Sequence, residues 1–202
     1  MRTFGTLDAQ RRNRGPCSRL EFEIYGAIVE PDKQAVAFEE IRSCLEINDA
    51  GRVLLKGQEM LLLPRHFFRY ILREVYLRAG ERVFEEIFYK AGFDGAFTFC
   101  TRYREINECS PREAVEFYLA EMSVRGWGAF DIVRFVPAAG VLDVVLKGSA
   151  LVPDGDLPSG HLTWKGAMVG AVRSLPNITE GMALVATMEE TADGCKIAVR
   201  PE

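Results

Sequence analysis

Three helix-period segments follow one another between Pro64 and Val124, and the strand-like segments after them come in two pairs around a single fourth helix. A chain laid out in that order cannot alternate strand and helix, so parallel, doubly wound architectures are excluded. The order predicts an α+β fold: a helical first half packed on an antiparallel sheet, with a β-β-α-β-β second half.

The local signals behind that order are specific. Pro64 opens a helix, where its missing N–H costs nothing, and Phe68, Ile71, Leu72 and Val75 fall at i, i+3, i+4 and i+7 as one apolar stripe. Gly80 reads as the glycine that closes this helix. A second helix starts at Glu81 with Val83, Phe84, Ile87 and Phe88 inward, and the chain continues helical over 97–103. Gly92 and Gly95 either interrupt it or let another backbone approach closely. Ser110-Pro111-Arg112-Glu113 is the clearest signal: Ser110 caps, Pro111 takes the first helical position, and Glu113 reaches back to the cap N–H. That third helix runs to about Val124, with Val115, Tyr118, Leu119 and Met122 as its stripe. Gly126-Trp127-Gly128 follows it.

The strand pairs are expected at 129–136 with 141–149, joined by Pro137-Ala138-Ala139-Gly140, and at 182–189 with 196–199, turning at Asp193-Gly194. Between them lie a polar loop over 153–160 and a small-residue helix over 162–174, ended by Pro176-Asn177. Gly166 and Gly170, four apart, allow that helix to pack closely on a neighbour. Upstream, 20–29 alternates as a strand, and a short helix covers 33–43. Val53-Leu54-Leu55 and Met60-Leu61-Leu62-Leu63 flank Lys56-Gly57-Gln58 as a hairpin. Residues 1–19 carry Arg2, Arg11, Arg12, Arg14 and Arg19 and read as a mobile basic arm, or as one that docks a partner, ahead of a single domain over 20–202.

Composition narrows the function classes. With 48% hydrophobic residues in 202, a full core needs neither disulfide nor metal. A net charge of −4 does not favour nucleic acid. The cysteines, Cys17, Cys44, Cys100, Cys109 and Cys195, are odd in number and widely spaced, which argues against a disulfide framework or a zinc ribbon. The first residues lack the apolar core of a secretion signal, and the apolar runs are too short to span a bilayer. The expected location is the cytoplasm.

Several of these pieces, in this order, resemble the 4-vinyl reductase domain family. The hairpin leading to Pro64, the stretch Tyr89-Lys90-Ala91-Gly92-Phe93-Asp94-Gly95, and Gly126-Trp127-Gly128 carry the resemblance through the first part. Trp164-Lys165-Gly166-Ala167-Met168-Val169-Gly170, then Glu189-Glu190, then Gly194-Cys195 carry it through the last. It covers about 53–199. The resemblance implies a fold similar to that of membrane-trafficking particle subunits. It also implies a small-molecule-binding role, as in aromatic-sensing transcription activators and a bacteriochlorophyll-biosynthesis protein. The family's metal-binding members place cysteines where this chain has Thr163 and Thr191-Ala192. Cys195 and a glutamate, Glu190, survive, with His161 as a possible recruit. Those residues are a weak alternative for zinc, which asks for about four ligands, so no metal is expected.

No catalytic constellation emerges. His66 sits beside Arg65 at a helix start, and His161 in a Ser-Gly-rich approach to a helix; both read as structural or surface residues, with a tetrapyrrole ligand role as the minor alternative. Glu39-Glu40, Glu85-Glu86 and Glu189-Glu190 are adjacent pairs whose side chains point apart. There is no GxGxxG, no GxxxxGK[ST] and no HExxH. The aromatic supply is the suggestive feature. Phe88, Phe97, Tyr103, Trp127 and Phe130, with Arg125 to orient a polar group, are the candidate ligand-binding residues; packing of the same rings into the core is the competing reading. The Trp127 indole suits a planar or cationic apolar ligand.

These observations lead to a homodimeric, non-catalytic domain that binds an apolar, aromatic or planar small molecule as a sensor, carrier or accessory protein. The chain shows no output domain, which turns the reading toward a carrier. An enzyme or enzyme subunit related to tetrapyrrole reduction and an assembly scaffold are the alternatives. The pocket is expected between the 84–103 helix, the Trp127 exit and the sheet. The dimer is expected through helices of the first half, because their apolar stripes exceed what one thin sheet covers.

Overall fold

The computed structural model describes residues 39, 43–61, 63–151 and 160–202. The arm expected over 1–19, the strand over 20–29, and nearly all of both the 33–43 helix and the 153–160 loop lie outside the described residues. The observed class is α+β, with helices leading the strand pairs as the sequence order predicts.

A small sheet comes first: β1 (Leu45–Ile47), β2 (Val53–Leu55) and β3 (Gln58–Met60), antiparallel in that spatial order. The β2–β3 hairpin turns on two residues, Lys56 and Gly57, both at positive φ (45° and 82°), the geometry that matches strand twist. The second strand therefore begins at Gln58 and ends at Met60, earlier than the 60–63 run suggests.

Helix α1 (Arg65–Ala79) follows Pro64, which caps it from an extended conformation rather than occupying its first turn. Gly80 closes α1 and begins α2 (Glu81–Asn107) in a single residue at φ 79°. Leu72 is buried on α1, with Phe68 and Val75 packed against the core. Ile87 faces outward, contrary to the inward placement expected of it, and Ile71 at the edge of the α1 stripe is exposed as well. An apolar stripe wider than the contact leaves its flanking residue in solvent. Helix α3 (Pro111–Val124) carries the full reciprocal cap: Ser110 Oγ accepts from the Glu113 N–H at 3.2 Å, and Glu113 Oε2 accepts from the Ser110 N–H at 2.8 Å. Val115, Tyr118, Leu119 and Met122 are all buried.

The second sheet holds β4 (Ala129–Val136), β5 (Val141–Lys147), β6 (Leu184–Glu190) and β7 (Cys195–Pro201), antiparallel in the order β4-β5-β7-β6. Leu142, Val144, Leu146, Cys195, Ile197 and Val199 line its buried face. Helix α4 (Leu162–Arg173) lies on that face and is clasped from behind by α2. Three glycines make the clasp possible. A methyl group on Gly92 would run into the Thr163 carbonyl, one on Gly166 into the Tyr89 carbonyl, and one on Gly170 into the Phe93 carbonyl. Helix α2 is thus uninterrupted at Gly92, which serves close approach, while Gly95 faces open space. Among the described residues no helix is long and apolar enough to cross a membrane.

Candidate functional site

The glycine clasp fixes α4 with one side against α2 and the opposite side, carrying Trp164 and Met168, against the sheet. Trp164 meets Phe130 of β4 edge-on at 5.0 Å and Trp127 edge-on at 5.5 Å. Trp127 meets Phe68 of α1 at 5.2 Å, and Phe68 meets Phe88 of α2 at 6.4 Å, both edge-on. One continuous set of rings therefore joins α1, α2, the α3–β4 connection, the sheet and α4.

The local chain explains how Trp127 reaches that place. Gly126 and Gly128 stand at φ 83° and 133°, so the backbone turns sharply on both sides of it. The Trp127 N–H donates to the Met122 carbonyl at 3.2 Å, and its own carbonyl accepts from the Ala150 N–H at 2.9 Å. Ser123 Oγ accepts from the Phe130 N–H at 3.0 Å and ties the end of α3 to the start of β4.

A row of residues crosses the sheet beneath the first turn of α4. Phe130 pairs with Leu146, Leu146 with Cys195, and Cys195 with Glu190. Trp164 covers the Phe130 end. His161, one turn earlier on the same side of the helix, covers the other, with Nδ1 3.5 Å from a Glu190 carboxylate oxygen. Burial pushes His161 below its usual range against the upward pull of Glu190. Burial pushes the Cys195 thiol up to about 12, with Glu190 adding to the shift, so the sulfur is held as an unreactive thiol. Three polar groups at this turn are buried without a hydrogen-bond partner: the Trp164 indole N–H, the Thr163 hydroxyl and His161 Nε2.

The structure brings Phe88, Trp127 and Phe130 into this one set of rings and places the other candidates elsewhere. Tyr103 stacks on Phe117 at 4.2 Å, beside Phe99, under the Lys56 ammonium, which lies 4.9 Å from the Phe117 ring. Phe97 is exposed on α2 and stacks on Phe93 at 6.3 Å. Arg125 pairs with Glu121 at 3.0 Å. Glu121 is fully buried, and burial pushes its carboxyl up to about 7 against the pull of Arg125. An acid poised near neutrality could transfer protons in an open cleft, but here it is enclosed with its own cation. His66 is exposed and sits edge-on to Tyr70. His161, Glu190 and Cys195 are neighbours, yet among the described residues no three His, Cys, Asp or Glu side chains converge to hold a metal ion.

Phe68 and Trp164 complete the set, although Phe68 reads in the sequence as an ordinary core residue and Trp164 only as a landmark. The available signal was the Gly166/Gly170 pair. Two glycines on one side of a helix between two layers assign Trp164, on the opposite side, to the other layer.

A family model described as a domain of unknown function (DUF5943) matches residues 43–133. No curated protein matches the chain. Among solved structures, the chain is similar to the phenol-responsive sensory domain of the transcription activator PoxR, determined with phenol. The TM-score is 0.65 at 14% identity, covering 83% of this chain and 90% of that one. It also matches a trafficking protein particle complex subunit 3 from Naegleria fowleri covalently bound to palmitic acid, with a TM-score of 0.44 at 11% identity, covering 68% of this chain and 92% of that one. The first of these likenesses establishes a shared fold.

Proposed function

We propose that this chain is a non-catalytic small-molecule-binding domain of sensory or carrier type, related to the 4-vinyl reductase domains, whose ligand is apolar and planar. The observation that carries the reading is the set Phe88, Phe68, Trp127, Trp164 and Phe130, gathered where helical and sheet layers meet and edged by buried polar groups that lack partners. Apolar walls with a few convergent polar groups are the usual make-up of a ligand site. Likeness of fold to a sensory domain that responds to phenol supports the same reading. The cysteines Cys44, Cys100, Cys109 and Cys195 are free thiols, which fits a cytoplasmic setting.

Native mass spectrometry of the purified protein, followed by Trp127→Ala, tests the proposal. A retained small molecule is expected to leave the variant, with a loss of stability well below the roughly 3–5 kcal/mol of a truncated core aromatic. A collapse in melting temperature with no effect on any bound molecule would make Trp127 a packing residue and refute the site.

The proposal includes a two-fold dimer, on a different face from the one the sequence suggests. Phe68, Leu72, Val75, Phe84 and Phe88 are turned inward within the chain. Phe67, Tyr70, Ile71 and Leu77 of α1, with Ile87 of α2, form the exposed apolar face that a second copy would cover.

A further inference from the structure

We propose that the Trp164 indole N–H is the polar anchor of the ring-lined site. Its ligand would then be a neutral molecule carrying a hydrogen-bond acceptor, such as a carbonyl or ether oxygen beside a planar apolar body. The proposal deepens the ligand-binding reading above and rests on it.

Trp164 is 3% exposed, and its Nε1 is among the buried polar atoms without a partner. An indole N–H can only donate, so what it lacks is an acceptor. Its ring neighbours cannot provide one: Phe130 is all carbon, and Trp127 carries another donor. The indole is held edge-on against Phe130 and Trp127, and the contacts of Gly166 and Gly170 with the α2 backbone set the side of α4 that carries it. A phenylalanine would fill the same apolar space with no buried donor to satisfy. The tryptophan therefore carries a desolvated N–H that the folded chain leaves unpaired, and buried donors are nearly always paired.

The same donor decides the charge of the ligand. An ammonium group offers no acceptor and would meet the positive end of the N–H dipole. Of the two ligand types that a tryptophan-walled site suggests, planar or cationic, the Trp164 edge selects the neutral planar one. His161, on the same side of α4 and held toward its neutral form by burial, leaves that edge without a fixed positive charge. Its ion-pair neighbour among the described residues, Glu190, is half exposed and lies at the far end of the row from Phe130. A buried water is the competing partner for the N–H, and it would need two or more polar contacts of its own.

Calorimetric titration of the whole chain with ethylbenzene, acetophenone and benzylammonium tests this. The first two differ by one carbonyl group in place of a methylene. Acetophenone is expected to bind about fivefold tighter than ethylbenzene, the worth of one net hydrogen bond, and benzylammonium most weakly. In Trp164→Phe the acetophenone preference should vanish while ethylbenzene affinity holds within about twofold. A second readout needs no variant: the Trp164 indole proton resonance should move downfield on adding acetophenone and not on adding ethylbenzene. Equal binding of the first two probes by the native chain, a preference that survives Trp164→Phe, a tightest-binding benzylammonium, or an indole proton already hydrogen-bonded and unmoved by acetophenone (the water outcome) would each overturn the anchor while leaving the site. If none of the three probes binds the native chain, the ligand-site reading fails, and the anchor falls with it.

Discussion

Alanine at Gly92 and at Gly95 should have opposite effects, although the two positions lie in one uninterrupted helix. In the interior of an exposed helix, Gly→Ala gains roughly 1 kcal/mol through backbone entropy. Gly95 meets that condition, since an added methyl has nothing within 4 Å. At Gly92 the methyl runs into the Thr163 carbonyl and approaches the Ala167 N to 3.1 Å. Both obstacles are backbone, so no side chain can rotate away and α2 must separate from α4. Overpacking of this kind costs roughly 1–3 kcal/mol, and a rigid backbone neighbour places Gly92 at the upper end. After the entropic gain, about 2 kcal/mol of destabilisation remains. For a chain of this size about 1 kcal/mol moves the melting temperature by roughly 2–4 °C. Calorimetric or circular-dichroism melting should therefore find Gly92→Ala about 4–8 °C lower and Gly95→Ala about 2–4 °C higher. Gly166→Ala and Gly170→Ala should follow Gly92→Ala, because each methyl meets an α2 carbonyl. The Gly92/Gly166 double variant should lose less than the sum, since one separation relieves both clashes. Equal shifts at Gly92 and Gly95, or an unchanged Gly92→Ala, would mean the helices do not cross at this distance.

Three further outcomes follow from other parts of the molecule. Glu121, held near 7 by burial, is favoured by folding in its protonated form, so its contribution is full below its ordinary range and is lost as pH rises from about 4.5 to about 7. Denaturant unfolding should accordingly show Glu121→Gln gaining on the native chain by up to about 3 kcal/mol across that window, and a pH-independent difference would contradict it. Light scattering at micromolar concentration should give a dimer that Phe67→Glu with Leu77→Glu converts to monomer; a native monomer would remove the interface from the proposal. Elemental analysis of untagged protein should find no stoichiometric zinc, and about one zinc per chain, lost in Cys195→Ala, would show that Cys195, Glu190 and His161 recruit it after all.

The parts of this fold legible in the sequence are those fixed within a few residues of chain. The Ser110–Glu113 cap and Gly80 between two helices are local chemistry, and the structure has them where the sequence places them; the turn at Lys56-Gly57 is local too, but one residue tighter than the sequence suggests. The facing of apolar residues is not local. Ile71 and Ile87 share helical spacing with Leu72 and Phe88, yet their exposure depends on which neighbour arrives, and in α2 that neighbour is α4, some seventy residues later in the chain. The candidate site divides in the same way. Trp127 and Phe130 can be placed at the helix–sheet junction from their position after a capped helix and before a strand pair. Tyr103 and Phe97 share a helix with Phe88 but point to different surroundings, which composition alone does not separate.

Trp164 is the residue hardest to see in the sequence and the one on which the proposed anchor rests. Its role follows from two facts that become one only in three dimensions. The first is that Gly166 and Gly170 commit one side of α4 to α2, which sends Trp164 to the sheet. The second is that the sheet row beneath it begins at Phe130, two residues after the glycine that bends the chain away from Trp127. Close helix packing and the gathering of rings therefore have a single cause. A variant that separates α2 from α4 should alter ligand binding as well as stability, because it frees the rotation of α4 that holds the Trp164 N–H in place. Gly170→Ala provides the sharper test of that coupling, since its clash lies more than a full turn from Trp164 and meets only the Phe93 backbone, touching no ring of the site. Should Gly170→Ala melt lower yet bind acetophenone over ethylbenzene with the native preference, the clasp would hold the fold together without positioning the site.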